Sequence, residues 1–255
     1  MNNPEPDIRV NVDAKNPGQF FACCGLLELA HRLWPRIEGW FENGVFCLEG
    51  LSGQDTGFHM LLKHLSEAKA EALAGSNDPK LPPVRIGPPY GLRLDWWLDS
   101  RGGKTIFGKM FSGQKRTLTD VERLQSGLGN VLSKHENDVT PFDWSEPLPG
   151  RFGVDPRAAW ESLDVGFSPN DQQMAVETYV VVELLGAIGL QVCPPMSNGE
   201  FYDYTTWSRP LGACVSRAAS VGIIPGLKGT TYRFALTRRG SYKGFGIATL
   251  IGEQL

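Results

Sequence analysis

The side chains able to do chemistry in this sequence are few and poorly grouped. There are four histidines (His31, His59, His64, His135) and five cysteines (Cys23, Cys24, Cys47, Cys193, Cys214). Nucleophilic or metal chemistry needs some of them within reach of one another. His59 and His64 are five apart on one predicted helix and do not share a face. Cys24 and His31 are two helical turns apart, about 10 Å of rise, too far for proton transfer. No C-x-x-C pair nucleates a zinc site, so no metal ligand set is expected. The cysteines sit among apolar neighbours and read as small buried hydrophobes of a reducing compartment. Asp95 with Asp99, and Asp155 with Asp164, lack a histidine partner for a two-metal nuclease. No phosphate-binding P-loop, G-x-S-x-G elbow or H-E-x-x-H is present. The expectation is a non-catalytic chain without a cofactor. A site assembled from residues distant in sequence is the enzymatic alternative.

Charge carries a stronger signal. The net charge is −3, but it is unevenly spread. Residues 101–134 hold seven basic side chains (Arg101, Lys104, Lys109, Lys115, Arg116, Arg123, Lys134) against Asp120 and Glu122. Residues 217–251 hold six (Arg217, Lys228, Arg233, Arg238, Arg239, Lys243) and no acid. The remainder is therefore strongly acidic. Such segregation points to an anionic partner; local ion pairing with the acidic remainder is the alternative. Within the first segment, residues 100–116 interleave cations with Phe107, Phe111 and four glycines. Lys104, Lys109, Lys115 and Arg116 suit phosphates, Phe107 and Phe111 suit base stacking, and Gln114 suits a base edge. In the second, Arg238, Arg239 and Lys243 surround a predicted hairpin tip suited to tracking a phosphate backbone; on a sheet edge they would instead be a solubility device.

The elements that must position these residues are partly legible. Ile8, Val10 and Val12 alternate with polar residues, as in a strand. Asn16-Pro17-Gly18-Gln19 has the N-cap, N1 and N3 residues of a capping box and opens a helix that stops at Pro35. Asn43-Gly44 between apolar runs predicts a type I′ hairpin. A second helix is expected from near Asp55 to Gly75, then strands at Val84–Ile86 and Leu92–Leu98. The order β-α-β-β-α-β over residues 1–100 is that of a split βαβ, ferredoxin-like half. Residues 101–255 read as a mixed α+β half, so the fold class expected is α+β. In it, Thr119-Asp-Val-Glu122 opens a helix to about Lys134. Ser168 and Pro169 open a long buried helix closed by Gly189 and Pro194-Pro195, and strands follow at Phe201–Trp207, Tyr232–Leu236 and Lys243–Leu250. The most apolar window, Met174 to Val192, contains Glu177 and Glu183 and reads as a buried helix, not a membrane span. Residues 1–7 have neither the basic nor the apolar part of a signal peptide.

Several segments resemble a known family. Asn16-Pro-Gly-Gln-Phe-Phe-Ala-Cys-Cys-Gly-Leu-Leu-Glu-Leu-Ala30 resembles the opening of proteins of type I-G (formerly I-U) CRISPR-Cas effector loci. Ser112-Gly-Gln-Lys115, the block from Trp160 to Pro195 and Phe201-Tyr-Asp-Tyr-Thr-Thr-Trp207 are similar to elements of the same group. The resemblance implies a large-subunit-like component of a cytoplasmic Cascade surveillance complex. Its partners would be other Cascade subunits, CRISPR RNA, target DNA and a recruited helicase-nuclease that does the cutting. Such a subunit reads the protospacer-adjacent motif and holds the displaced strand of the R-loop, while guide pairing reads sequence. This chain is shorter than most large subunits and its C-terminus reads as strands. A ferredoxin-like backbone subunit gripping guide RNA is the alternative role.

Overall fold

A computed structural model describes residues 3–51, 57–98, 116–135, 140–158, 176–239 and 242–254. It is a mixed α+β protein organised around two helices that are buried along most of their length. The first, α1 (Pro17–Leu33), follows strand β1 (Ile8–Asn11). Asn16 caps it by accepting from the Gln19 N–H at 3.2 Å. The Gln19 side chain reaches back as expected, but to the Asp13 N–H at 2.7 Å and not to Asn16. The second apolar helix, α4 (Val180–Val192), is buried along nearly its whole length. A helix without a polar face has to be interior, and α1 and α4 satisfy each other. Gly25 lies against the Leu185 carbonyl, and Gly189 against the Phe21 carbonyl, where a Cβ would overlap main chain. Gly189 thus serves the crossing and does not end the helix.

Strands β2 (Glu38–Glu42) and β3 (Val45–Glu49) form the expected hairpin. Asn43 (φ 50°) and Gly44 (φ 77°) give the two positive angles of a type I′ turn. β3 inserts between β1 and β2, and β11 (Leu211–Gly212) extends the sheet beyond β2 in the order β1-β3-β2-β11. β1, α1 and β2 with β3 between them form a split βαβ unit. The ferredoxin-like sheet is not completed among the described residues. The next helix, α2, covers only Phe58–Glu67. The residues expected to continue it form β4 (Ala70–Ala72), paired with β5 (Val84–Ile86), which pairs in turn with β6 (Leu92–Leu94) in a separate sheet. Alanines at helical spacing yield here to a ladder that satisfies their backbone groups.

Helix α3 runs Thr117–Lys134, three residues earlier than a Thr119 cap implied. Its N-cap, Arg116, makes no side-chain cap, and Thr119-x-x-Glu122 is helix interior. The start is set instead by the Thr117 hydroxyl, which donates to the Pro82 carbonyl at 2.8 Å. β7 (Glu146–Leu148) pairs with β8 (Val176–Thr178), so the long buried helix begins after Tyr179. Ser168 and Pro169 lie outside the described residues.

The C-terminal sheet has β12 (Gly229–Arg239) at its centre. On one side lie β10 (Phe201–Thr205) and then β9 (Met196–Asn198). On the other, β13 (Tyr242–Phe245) and β14 (Thr249–Gln254) pair in turn with the two ends of β12. The strand expected over Lys243–Leu250 is therefore two. Between them, Phe245, Gly246 and Ala248 donate to Gly153, Ala235 and Lys15 respectively, which carries the chain across. α5 (Ala213–Ala219), β9 and β11 were not foreseen. Phe20 joins the layers: its ring stacks on Phe41 of β2 at 5.5 Å and on Tyr204 of β10 at 4.4 Å. No helix among the described residues is long and apolar enough to cross a membrane.

Candidate nucleic-acid interface

Of the residues expected to meet nucleic acid, Lys104, Phe107, Lys109, Phe111, Gln114 and Lys115 lie outside the described residues. What flanks them is well defined. On one side the Trp97 indole N–H donates to the Pro82 carbonyl at 3.2 Å; on the other the Thr117 hydroxyl donates to the same oxygen at 2.8 Å. The Thr117 amide also donates to the Lys80 carbonyl. The two ends of the basic segment are thus pinned at one point of the core. Arg116, at the second end, is exposed.

The rest of the first basic region is partly neutralised. Lys134 pairs with Glu146 at 2.7 Å, and this holds the Glu146 carboxyl below its usual range. Arg123 lies 3.9 Å from Asp120.

In the second basic region, β12 and β13 form the expected hairpin, and its register sets Arg238 opposite Lys243 and Arg239 opposite Tyr242. Arg238 and Lys243 are register partners; Arg239 is not part of that pair. Arg233 is engaged elsewhere. It grips Asp203 with two hydrogen bonds of 2.7 Å, which raise its pKa, and lies over the Phe201 ring at 5.8 Å. Arg217 donates to the Val192 carbonyl. The excess of six over this segment is therefore offset in part by an ion pair that sequence spacing could not reveal: Asp203 is thirty residues from Arg233.

Two other clusters were missed by sequence reasoning. The first is a buried polar knot. Asp155 accepts from Asn16 Nδ2 at 3.0 Å and from the Arg157 guanidinium at 2.7 Å. Arg157 also bonds Asp143 at 2.7 Å and lies 3.6 Å over the Tyr179 ring. Buried Glu183 of α4 accepts from the Gly153 and Asp155 amides at 2.7 and 3.1 Å. With its charges and amides paired off this way, the knot fixes the 151–157 segment onto α1 and α4. The second is an open cleft of about 410 Å³ between the β2–β3 turn and the C-terminal sheet. Glu42 and Glu253 line it with Phe41, Trp207 and Tyr232, and among the described residues Lys228 is its one lining cation. Burial, then the charges of Asp13 and Glu253, push the Tyr232 phenol up. Such a cleft repels phosphate.

Cys23, Cys24, Cys47 and Cys193 are buried, whereas Cys214 is exposed, against expectation. Burial pushes the Cys24 thiol well up; it donates to Cys193, which this bond holds below the ordinary thiol value. Asp95 is tied to Arg93 and Gln191. No group of three His, Cys, Asp or Glu side chains among the described residues converges as a metal would require.

No family model, no curated protein and no solved structure matches the chain.

Proposed function

We propose that the chain is a non-catalytic, nucleic-acid-binding subunit of a cytoplasmic type I CRISPR-Cas surveillance complex, large-subunit-like, which contacts target DNA beside the protospacer-adjacent motif. The observation that carries this reading is the basic, aromatic-bearing segment whose two ends are pinned to one carbonyl. The β12–β13 hairpin with Arg238, Arg239 and Lys243 supplies the second contact. The packing of the resembling segments is consistent with it: α1 lies against α4 and against Tyr204 of β10. In this reading Lys104, Lys109, Lys115, Arg116, Arg238, Arg239 and Lys243 neutralise phosphates. Gln114, Phe107 and Phe111 meet bases at the duplex-to-single-strand junction. Partners are the other Cascade subunits, CRISPR RNA and a recruited helicase-nuclease.

The test is target-DNA binding by the assembled complex across a salt series. Changing the seven cations to alanine should weaken binding and flatten the log–log salt slope by about one for each phosphate no longer neutralised. Unchanged affinity and slope would end the reading. The split βαβ unit favours a second role, a ferredoxin-like backbone subunit gripping guide RNA. That role predicts cross-links to RNA before any target DNA is added; the first predicts cross-links to DNA near the recognition motif.

A further inference from the structure

We propose that the outer edge of β14, with the acidic cleft beside it, is a docking site for an extended, basic segment of a partner protein. Among the described residues β14 pairs with β12 alone, and its backbone makes no other backbone hydrogen bond. An open strand edge is a template for another strand. Beside it the surface is strongly aliphatic. Ile247, Leu250 and Ile251 are 58, 52 and 45 % exposed, and together they are the largest run of exposed large apolar side chains among the described residues. Edges that must stay free are usually blunted by lysine, proline or a bulge. β14 has neither lysine nor proline. It carries one bulge, opposite Thr231 and Tyr232 of β12, whose extra residue is the exposed Ile251, so any added strand pairs in two short stretches on either side of it.

Charge selects the occupant. Leu250 stands opposite Tyr232, and Glu253 opposite Thr230; Tyr232, Thr230 and Glu253 line the cleft together with Glu42 across from them. A strand added to β14 therefore carries alternate side chains along the cleft mouth, where two carboxylates face one lysine and Phe41, Trp207 and Tyr232 offer aromatic surface. Lysine or arginine at those positions gains ion pairing and cation–π contact. A second copy of this chain is the poorer occupant, because β14 brings Glu253 and no cation to such a pairing. Nucleic acid is repelled by the same carboxylates. This surface shares β12 with the second basic segment but uses none of Arg238, Arg239 and Lys243, and the proposal stands independently of their function.

The test uses the full chain and a fluorescein-labelled peptide alternating lysine with valine, beside a counterpart alternating glutamate with valine. Fluorescence anisotropy should show the basic peptide binding at least about tenfold tighter. Glu42→Gln with Glu253→Gln should remove most of that preference. Leu250→Lys with Ile251→Lys should weaken the basic peptide by about tenfold or more. All four positions are on the surface, and circular dichroism confirms that each variant folds. Equal binding of the two peptides, no binding of the basic one at about millimolar concentration, or indifference to both variants overturns the proposal. So does a wild-type dimer in sedimentation that Leu250→Lys with Ile251→Lys dissolves, which would make the occupant a second copy.

Discussion

Two buried phenols show how single side chains set the limits of this protein's stability. Tyr90 donates to the Leu61 carbonyl at 2.7 Å and Tyr204 to the Ala14 carbonyl at 2.6 Å. Burial pushes both pKa values well above the ordinary phenol value. Each hydroxyl can donate only while protonated, so the folded state holds its proton more tightly than the unfolded chain does. The linkage has one sign: the contribution is complete below the unfolded value near 10 and is lost as pH rises above it. Urea denaturation between pH 8 and 11 should show stability falling by up to about 1.4 kcal/mol per pH unit for each tyrosine above about pH 10. Tyr90→Phe with Tyr204→Phe should cost stability at neutral pH and flatten the alkaline fall. An equally steep fall in that variant would show that other groups carry it. Neither phenol is visible as special in the sequence, because the carbonyls they meet are 29 and 190 residues away.

At the scale of elements, the α1–α4 crossing is the feature on which the rest depends. Its closeness requires hydrogen atoms where Gly25 and Gly189 have no side chain. Gly25→Ala places a Cβ on the rigid Leu185 carbonyl, and the helices must separate; a loss of about 1–3 kcal/mol or more is expected in thermal denaturation. Gly129 of α3 is the control, since a Cβ there meets nothing. Gly129→Ala should stabilise by about 0.5–1 kcal/mol through helix propensity alone. If both substitutions behave alike, close packing does not govern the crossing. The elements read correctly from the sequence were those with local signatures: the Asn16 cap, the Asn43-Gly44 turn and the apolar run of α4. The misread ones were decided by partners. Ala70–Ala72 became a strand because Val84–Ile86 lies beside it, and α3 began at Thr117 because Pro82 offers an acceptor.

For the whole molecule, the polar knot around Asp155 joins the N-terminus of α1, the turn at Pro141–Asp143 and helix α4 through Glu183. Asp155→Ala removes the acceptor that Arg157 and Asn16 share; Arg157 keeps Asp143 while the buried Asn16 amide loses its partner, at a cost of about 1–3 kcal/mol. Because the knot touches elements from both parts of the chain, circular dichroism and tryptophan fluorescence should report one transition shifted equally. Two separated transitions would show that the parts unfold independently. The sequence by itself determined the α+β class, the Asn16 cap, the Asn43-Gly44 turn, the buried helix that ends near Val192, and the segregation of positive charge into residues 101–134 and 217–251. Those properties follow from nearest neighbours or from composition, which do not depend on the fold. Only the tertiary structure decided which cations are spent, as with Arg233 on Asp203, and it alone revealed the acidic cleft and the edge of β14 left unpaired among the described residues. These depend on pairings between residues far apart in the chain. Such a pairing is fixed by the geometry that buries both partners, not by the identity of either.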